Sequence, residues 1–395
     1  MTAISIIFLL ICIFPLGYLF LLALASMRPV SSPAISDRHP SHRFIIAIPA
    51  HNEASVIEAT IQRLRTLDYP AHLFSIHVVA DHCSDNTAVL ARQAGAFVHE
   101  RNEGSRTGKG AALSWLFQRV LDDSCDAVVV FDSDTQVAPD FLRIMDASLA
   151  QGNQVIQGQH IISNPEGGWF ATLAWAMFLI DNRFQNLGRS NLGWSAKHMG
   201  DSICFRANVL RKIGWGEGLT EDYQLRQRLL LEGIKIAYEP AAIGYGEAPC
   251  TWAQARAQRV RWLRGTRDAS QRFARLLLIE GIKSRDTALL DGALQAYLPS
   301  YSTLTIISVI SLLIQVMVNW LVGSIFPWGL VEAWTMVVCA LFVFPLLGLS
   351  LENAPLKAYL AILSGPFFII WRTWLALGAR FGSKQVIWIR TAHGE

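Results

Sequence analysis

Charge is what this sequence has least of. Only 16% of its 395 residues are Asp, Glu, Lys or Arg, against about a quarter in ordinary soluble domains. The net charge of +3 lacks the strongly basic balance of a nucleic-acid binder, so no nucleic-acid partner is expected. Cysteine supplies no metal framework. The six cysteines stand at 12, 83, 125, 204, 250 and 339, without a CxxC pair or a Cys/His cluster at zinc spacing. They read as reduced, mostly buried thiols. Other signatures are missing too: no GxGxxG after the first strand, no HExxH and no GxSxG. "GSRTGKG" at 104–110 is one residue short of a phosphate-binding loop, and Gly110 stands where that loop has Ser or Thr.

Apolar runs are what the chain has in excess. No charge occurs from Met1 to Met27, which is long enough to span a bilayer. Basic residues follow the run (Arg28, Arg38 and Arg43), opposed by Asp37 alone. The positive-inside rule then places the N-terminus outside and the following domain in the cytosol of an integral membrane protein. A second uncharged region, Gly292 to Val331, predicts a span at 299–323. A third span is expected at 333–351, between Glu332 and Glu352, with Trp328 and Trp334 at the interface. Between Lys357 and Arg372 lie only fourteen uncharged residues, interrupted by "SGP". Residues 354–380 therefore read as an interfacial or re-entrant helix, or as a fourth span. Three spans leave the basic tail, 381–395, in the cytosol. Residues 251–290, which include "WAQARAQRVRWLRGTRDASQRFAR", read as basic amphipathic helix on the membrane surface. There Arg264 and Arg267 would face anionic lipid.

From 42 to 250 the pattern turns to alternating strands and helices. "FIIAI" (44–48), "SIHVVA" (75–80), "AFV" (96–98) and "AVVVF" (127–131) read as strands, with helices between them. Ser84 or Asp85 can cap the second of these helices. This is the rhythm of an α/β domain with a mostly parallel sheet. Each long strand ends in acid: "PAHNE" (Pro49 to Glu53), "DHCSDNT" (81–87) and "DSDT" (132–135). Ligands of such sheets bind beyond the strands' carboxyl ends. Residues two apart on extended chain share a face, so Asp132 and Asp134 can aim at one hard cation, Mg2+ or Mn2+, that also takes substrate phosphates. A solvated turn would explain "DSD" alone; three acidic clusters together favour the cation. Lys109 reads as a phosphate-facing cation or as a solvated lysine.

Two later motifs add specificity. "LTEDYQLRQRLLLEG" (219–233) places Thr220, Glu221 and Asp222 at a helix start, a pattern that a capping box would also give. "QRVRW" (258–262) lies in the basic segment. The order D, DxD, T/E-D, QxxRW resembles the membrane-bound inverting glycosyltransferases of family 2, among them the cellulose, hyaluronan, chitin and poly-N-acetylglucosamine synthases and the ceramide glucosyltransferases. The resemblance implies a cytosolic Rossmann-like GT-A domain with transmembrane helices. Its implied nucleotide-sugar site comprises Pro49, Glu53, Asp81, Lys109, Asp132, Asp134 and Arg261. Asp81 would contact the base, and Asp132 and Asp134 the diphosphate and metal. Asp222 would be the general base; Glu221, Gln258 and Trp262 would lie on the acceptor and pyrophosphate side. "WIRT" (388–391) is similar to a C-terminal motif of several members that faces the cytosolic site. The family's common donors are UDP-glucose and UDP-N-acetylglucosamine, and the acceptor a glycan or lipid. Polysaccharide synthesis is the expectation, with single-sugar transfer to a lipid as the alternative. A non-catalytic scaffold would have no need of intact acidic motifs.

Overall fold

The computed structural model describes residues 2–28, 39–122, 124–216 and 218–381. The tail expected in the cytosol, with its "WIRT", lies outside the described residues apart from Phe381. Eight strands form one sheet: β1 (Phe44–Ala50), β2 (Phe74–Asp81), β3 (Phe97–Arg101), β4 (Ala127–Val130), β5 (Gln136–Val137), β6 (Val155–Ile162), β7 (Ile203–Arg206) and β8 (Ile236–Gly246). Their order is β3-β2-β1-β4-β7-β6-β8-β5. The first four strands are parallel, with Phe44 level with both Phe74 and Ala127. β7 runs against both its neighbours, and β5 runs against β8. The sheet is therefore more mixed than its first half predicts.

Apolar residues from both faces of strands β1, β2, β4, β6, β7 and β8 build two cores. Helices Lys109–Val120, Ala207–Ile213 and Glu221–Leu231 cover one face, through residues such as Leu113, Leu210 and Leu225. Helices Ile57–Leu64, Thr87–Gln93 and Phe141–Ala150 cover the other, through Ile61, Ala91 and Phe141. Burial on both sides is why β4 reads as an unbroken apolar run rather than an alternating one. The second of the predicted helices has Asn86, not Ser84 or Asp85, at its N-cap and no side-chain cap bond; Asp85, one residue before the cap, accepts from the Thr87 backbone N–H through Oδ1 at 3.0 Å.

Among the described residues three helices are long and apolar enough to cross a membrane: Thr2–Ala25, Tyr301–Val322 and Trp328–Leu351. They share a core that includes Leu9, Leu304 and Leu341. The third begins five residues before its expected start, at Trp328, and this changes the role of Trp334. Instead of lying at the interface, Trp334 is fully buried and donates to the Ser5 hydroxyl at 3.0 Å. Trp320 and Trp328 are exposed. A fourth apolar segment is broken at "SGP" into Leu356–Ile362 and Gly365–Ala376, bent by 47°. The basic segment is one helix, Trp252–Ser284, opened by a capping box between Thr251 and Gln254. Helix Thr287–Tyr297 packs back on it.

Candidate active site

The parallel register brings the ends of β1, β2 and β4 to one edge of the sheet. Asp81, the last residue of β2, is buried opposite Arg101 of β3, whose Nη1 donates to its Oδ1 at 2.5 Å. His82 Nδ1 lies 3.0 Å from the same oxygen. Glu53 is buried nearby, its backbone N–H donating to Thr87 Oγ1 at 2.8 Å. Pro49 is the penultimate residue of β1, level with Val79 of β2.

β4 ends at Val130, and the chain turns through Asp132 and Asp134. Lys109, the first residue of its helix, is neither solvated nor alone. Its ammonium pairs with Asp132 and donates to the Gly200 carbonyl at 2.5 Å. Burial opposes the Lys109 charge, but Asp132 and Asp201 hold its pKa above the usual lysine range. Asp201 is a functional candidate that motif reading misses. It accepts from the Asp132 backbone N–H and from the Thr135 hydroxyl, each at 3.1 Å, and so fixes the turn. Its other oxygen lies 3.0 Å from His160 Nδ1. Burial disfavours the Asp201 charge; the His160 hydrogen bond and the charges of His160 and Lys109 outweigh it and lower the pKa. His160 is raised in return, against its burial, by Asp201 and by the charges of Asp132 and Asp134. The antiparallel β7 is the cause of this meeting. Val130 pairs with Ile203, so the residues before β7 arrive where β4 ends.

Thr220, Glu221 and Asp222 open helix Glu221–Leu231 from the opposite side. The Thr220 side chain does not cap this helix. Its hydroxyl is buried and has no hydrogen-bond partner among the described residues, so the capping-box reading fails there. Close packing explains the arrangement. A Cβ on Gly265 would stand 2.5 Å from Thr220 Oγ1, and one on Gly110 would stand 2.6 Å from the Gly216 carbonyl and 3.2 Å from Glu221 Cβ. Gly110, the residue that spoiled the phosphate-loop match, is small because the acidic turn lies against it. Burial, then the adjacent Asp222 charge, pushes Glu221 up to about 7. Burial also raises Asp222, whose Oδ2 lies 3.6 Å from the position of a Cβ built on Gly200. Gly200 thus touches both the Lys109 ammonium and the Asp222 side of the site.

Arg261 is tied to the same turn, its Nη1 donating to the Leu219 carbonyl at 3.3 Å. Its charge bears on both Glu221 and Asp222. Gln258 and Trp262 are half-buried on the same helix, with the Trp262 ring 4.8 Å from the Arg259 guanidinium. The structure therefore joins Lys109, Asp132, Asp201 and His160 by direct contact, and sets Asp222, Glu221 and Arg261 beside them. Asp81, Glu53 and Pro49 form a neighbouring group at the β1–β2 edge.

An open α/β sheet with paired acids at its carboxyl edge and a buried acidic turn facing them has the frame of a GT-A-like fold. Residues 40–265 match the family model described as glycosyltransferase-like family 2, and the chain belongs to that family. A probable glycosyltransferase, YdaM, of Bacillus subtilis is 28% identical over 247 residues, 58% of this chain and 56% of that protein. A beta-monoglucosyldiacylglycerol synthase of Trichormus variabilis is 28% identical over 272 residues, 63% of this chain and 56% of its own. A poly-beta-1,6-N-acetyl-D-glucosamine synthase of Staphylococcus aureus is 28% identical over 232 residues, 56% and 53% respectively. The chain spans about half the length of these curated relatives. The solved structure of the mannosyltransferase PcManGT from Pyrobaculum calidifontis, in complex with GDP-Man and Mn2+, covers 96% of this chain and 99% of its own. Its TM-score is 0.59 at 16% identity, a likeness of fold.

Proposed function

We propose that this chain transfers a sugar from a nucleoside-diphosphate sugar, a UDP-sugar in the first instance, to a glycan or lipid acceptor at a membrane, inverting the anomeric centre. The observation that carries the reading is the opposition of two acidic groups across Gly200: the Lys109–Asp132 pair on one side, the raised carboxyl of Asp222 on the other. One can hold a diphosphate and the other can take a proton.

In this reading the acceptor hydroxyl gives its proton to Asp222 as its oxygen attacks the anomeric carbon. The bond from that carbon to the diphosphate oxygen breaks in the same displacement. Burial makes Asp222 a stronger base than an ordinary aspartate. Lys109 and Arg261 meet the negative charge that gathers on the departing diphosphate, and Asp81 and Glu53 line the nucleotide end. Gln258 and Trp262 flank the acceptor.

Among the described residues no three His, Cys, Asp or Glu side chains are grouped to hold a metal alone. Asp132 and Asp134 at the strand end still fit a hard cation, since the Asp132 side chain is 45% exposed and a diphosphate supplies further oxygens. Mg2+ or Mn2+ held there would neutralise charge on the leaving group.

The three candidate spans support membrane residence, with the sheet domain cytosolic, the N-terminus outside and the broken segment at 354–380 lying in the interface. Polymer synthesis is the first reading. Single transfer to a lipid is the second, supported by the small membrane part and the glycolipid synthase among the relatives. The test is membranes containing the full chain, offered a panel of nucleotide sugars with Mn2+, Mg2+ or chelator, followed by mass analysis. Cation-dependent release of nucleoside diphosphate and a glycosylated product is expected; a ladder of masses means polymer, one added hexose means single transfer. No turnover of any donor would sink the proposal.

A further inference from the structure

Arg259 occupies an unusual position. It lies between Gln258 and Arg261 of "QRVRW", and its guanidinium stands in a crevice of aromatic rings. Its guanidinium carbon is 4.8 Å from the Trp262 centroid, 5.3 Å from Phe368 and 6.0 Å from Phe170. Its Nε is buried and has no hydrogen-bond partner among the described residues. Ring faces attract a cation, but they accept no conventional hydrogen bond from every N–H of a guanidinium. A second guanidinium stands in electrostatic reach. Arg372 donates through Nη1 to the Ser300 and Ser302 hydroxyls, at 3.0 and 2.9 Å, and these are neutral. The acid in reach, Asp181, is already held by Lys197, whose Nζ donates to both its oxygens at 2.8 Å. Burial and then the Arg372 charge lower the Arg259 pKa to about 10. Two like charges are thus gathered around a crevice where no acid pairs directly with either among the described residues and Asp181 acts on Arg259 only at longer range, an arrangement that an anion would stabilise.

The surroundings select the kind of anion. Trp252 packs on Trp371 and on Trp169, with centroids 5.1 and 5.3 Å apart, and both Trp169 and Trp252 are exposed in part. Beside them the Phe367 ring of helix Gly365–Phe381 is also exposed, 5.9 Å from Trp169 and 6.0 Å from Trp252. Partly exposed tryptophans beside a cation and an uncovered apolar face are the environment of a lipid headgroup with its acyl chains alongside. A free phosphate would gain nothing from that face.

We propose that the crevice between helices Trp169–Asp181, Trp252–Ser284 and Gly365–Phe381 binds an anionic phospholipid, its phosphate on Arg259 and Arg372 and its chains along Phe367 and the exposed rings of Trp169 and Trp252. The site shares Trp262 with the acceptor side of the transfer reading but none of its acids, and does not require that reading. The test is equilibrium binding of labelled phosphatidylglycerol and phosphatidylcholine to the full chain in neutral-detergent micelles. Phosphatidylglycerol should bind saturably and about tenfold more tightly than phosphatidylcholine, the worth of one charge-assisted hydrogen bond. Arg259→Gln should remove that preference, Arg259→Lys should keep part of it, and inorganic phosphate should not compete. Asp222→Asn should bind the lipid like the wild type even though it stops transfer, so loss of the catalytic reading leaves this result standing. Equal binding of the two lipids, an unchanged preference in Arg259→Gln, or full competition by inorganic phosphate would overturn the proposal. If Arg259→Gln does not elute as a folded protein, Arg372→Gln carries the same comparison.

Discussion

Two clusters of buried charge lie within one helix of each other, and they are built on opposite plans. In the middle of helix Glu221–Leu231, Arg226 joins Arg189, Asp291 and Tyr18. Asp291 accepts from Arg189 Nε at 2.9 Å, Arg226 Nη2 at 3.1 Å and Tyr18 Oη at 2.6 Å. Arg226 also serves the carbonyls of Ser195 and Ala196 and the Gln295 amide oxygen. One turn earlier on the same helix stand Glu221 and Asp222, side by side, both raised by burial. Beside them the Thr220 hydroxyl has no partner among the described residues. In the first cluster the donors and acceptors close on one another; in the second the charges are held apart from full compensation. Low dielectric strengthens both arrangements, so the closed one makes structure and the open one retains chemical potential for a proton or a ligand.

The contrast can be broken at its strong end first. Asp291→Leu strands two buried guanidinium groups, and the chain should lose about 3–5 kcal/mol, read as a large fall in melting temperature in detergent. An unchanged melting temperature would mean that the closed cluster is not structural. At the open end the signs reverse. Asp222→Asn should slow transfer by about 10²–10⁴-fold, with donor binding retained and the melting temperature unchanged or higher, because a buried repulsion with Glu221 is relieved. Normal turnover in this variant removes Asp222 from the mechanism.

A subtler effect follows from pH. The Glu221 pKa is about 7 in the folded chain against an ordinary 4.5, so the native state holds this proton more tightly than the unfolded chain does. Its contribution is complete below the ordinary value and is lost as pH rises toward about 7. Glu239, raised by burial to about 7, acts in the same sense. Glu221→Gln should therefore flatten part of the decline in melting temperature across that interval; an unaltered slope would assign the decline elsewhere. The smallest change lies outside both clusters. Thr251→Ala removes the capping box of the long basic helix and should cost about 1 kcal/mol without affecting donor binding.

How much of this is legible without coordinates depends on whether the physics is local. Strands β1, β2 and β4 are readable because apolar runs stop at acid, and the acids then lie where a parallel sheet binds ligands. Asp132, Asp222 and Arg261 are found by their motifs. Asp201 is not, because it meets Asp132 across 69 residues through a strand that runs against the alternating pattern. The closed cluster is equally hidden: Arg189, Arg226 and Asp291 each look like ordinary surface charges until three separate elements converge. Trp334 misleads for the opposite reason. A tryptophan near a charge at the edge of an apolar run fits an interfacial belt, but helix phase turns it toward Ser5. Thr220 and Thr251 both precede helices, and only Thr251 caps; the Thr220 side chain packs against Gly265 instead.

The closed cluster also bears on where this protein can be cut. The family segment runs from 40 to 265, and it contains both arginines of the cluster. The phenol and the carboxylate that answer them, Tyr18 and Asp291, lie outside it on either side. Excising the segment as a soluble enzyme would leave Arg189 and Arg226 facing each other without their acid. The segment matched by the family is thus smaller than the unit that closes this cluster, and the difference is made up by helix Thr2–Ala25, the first candidate span, and by helix Thr287–Tyr297.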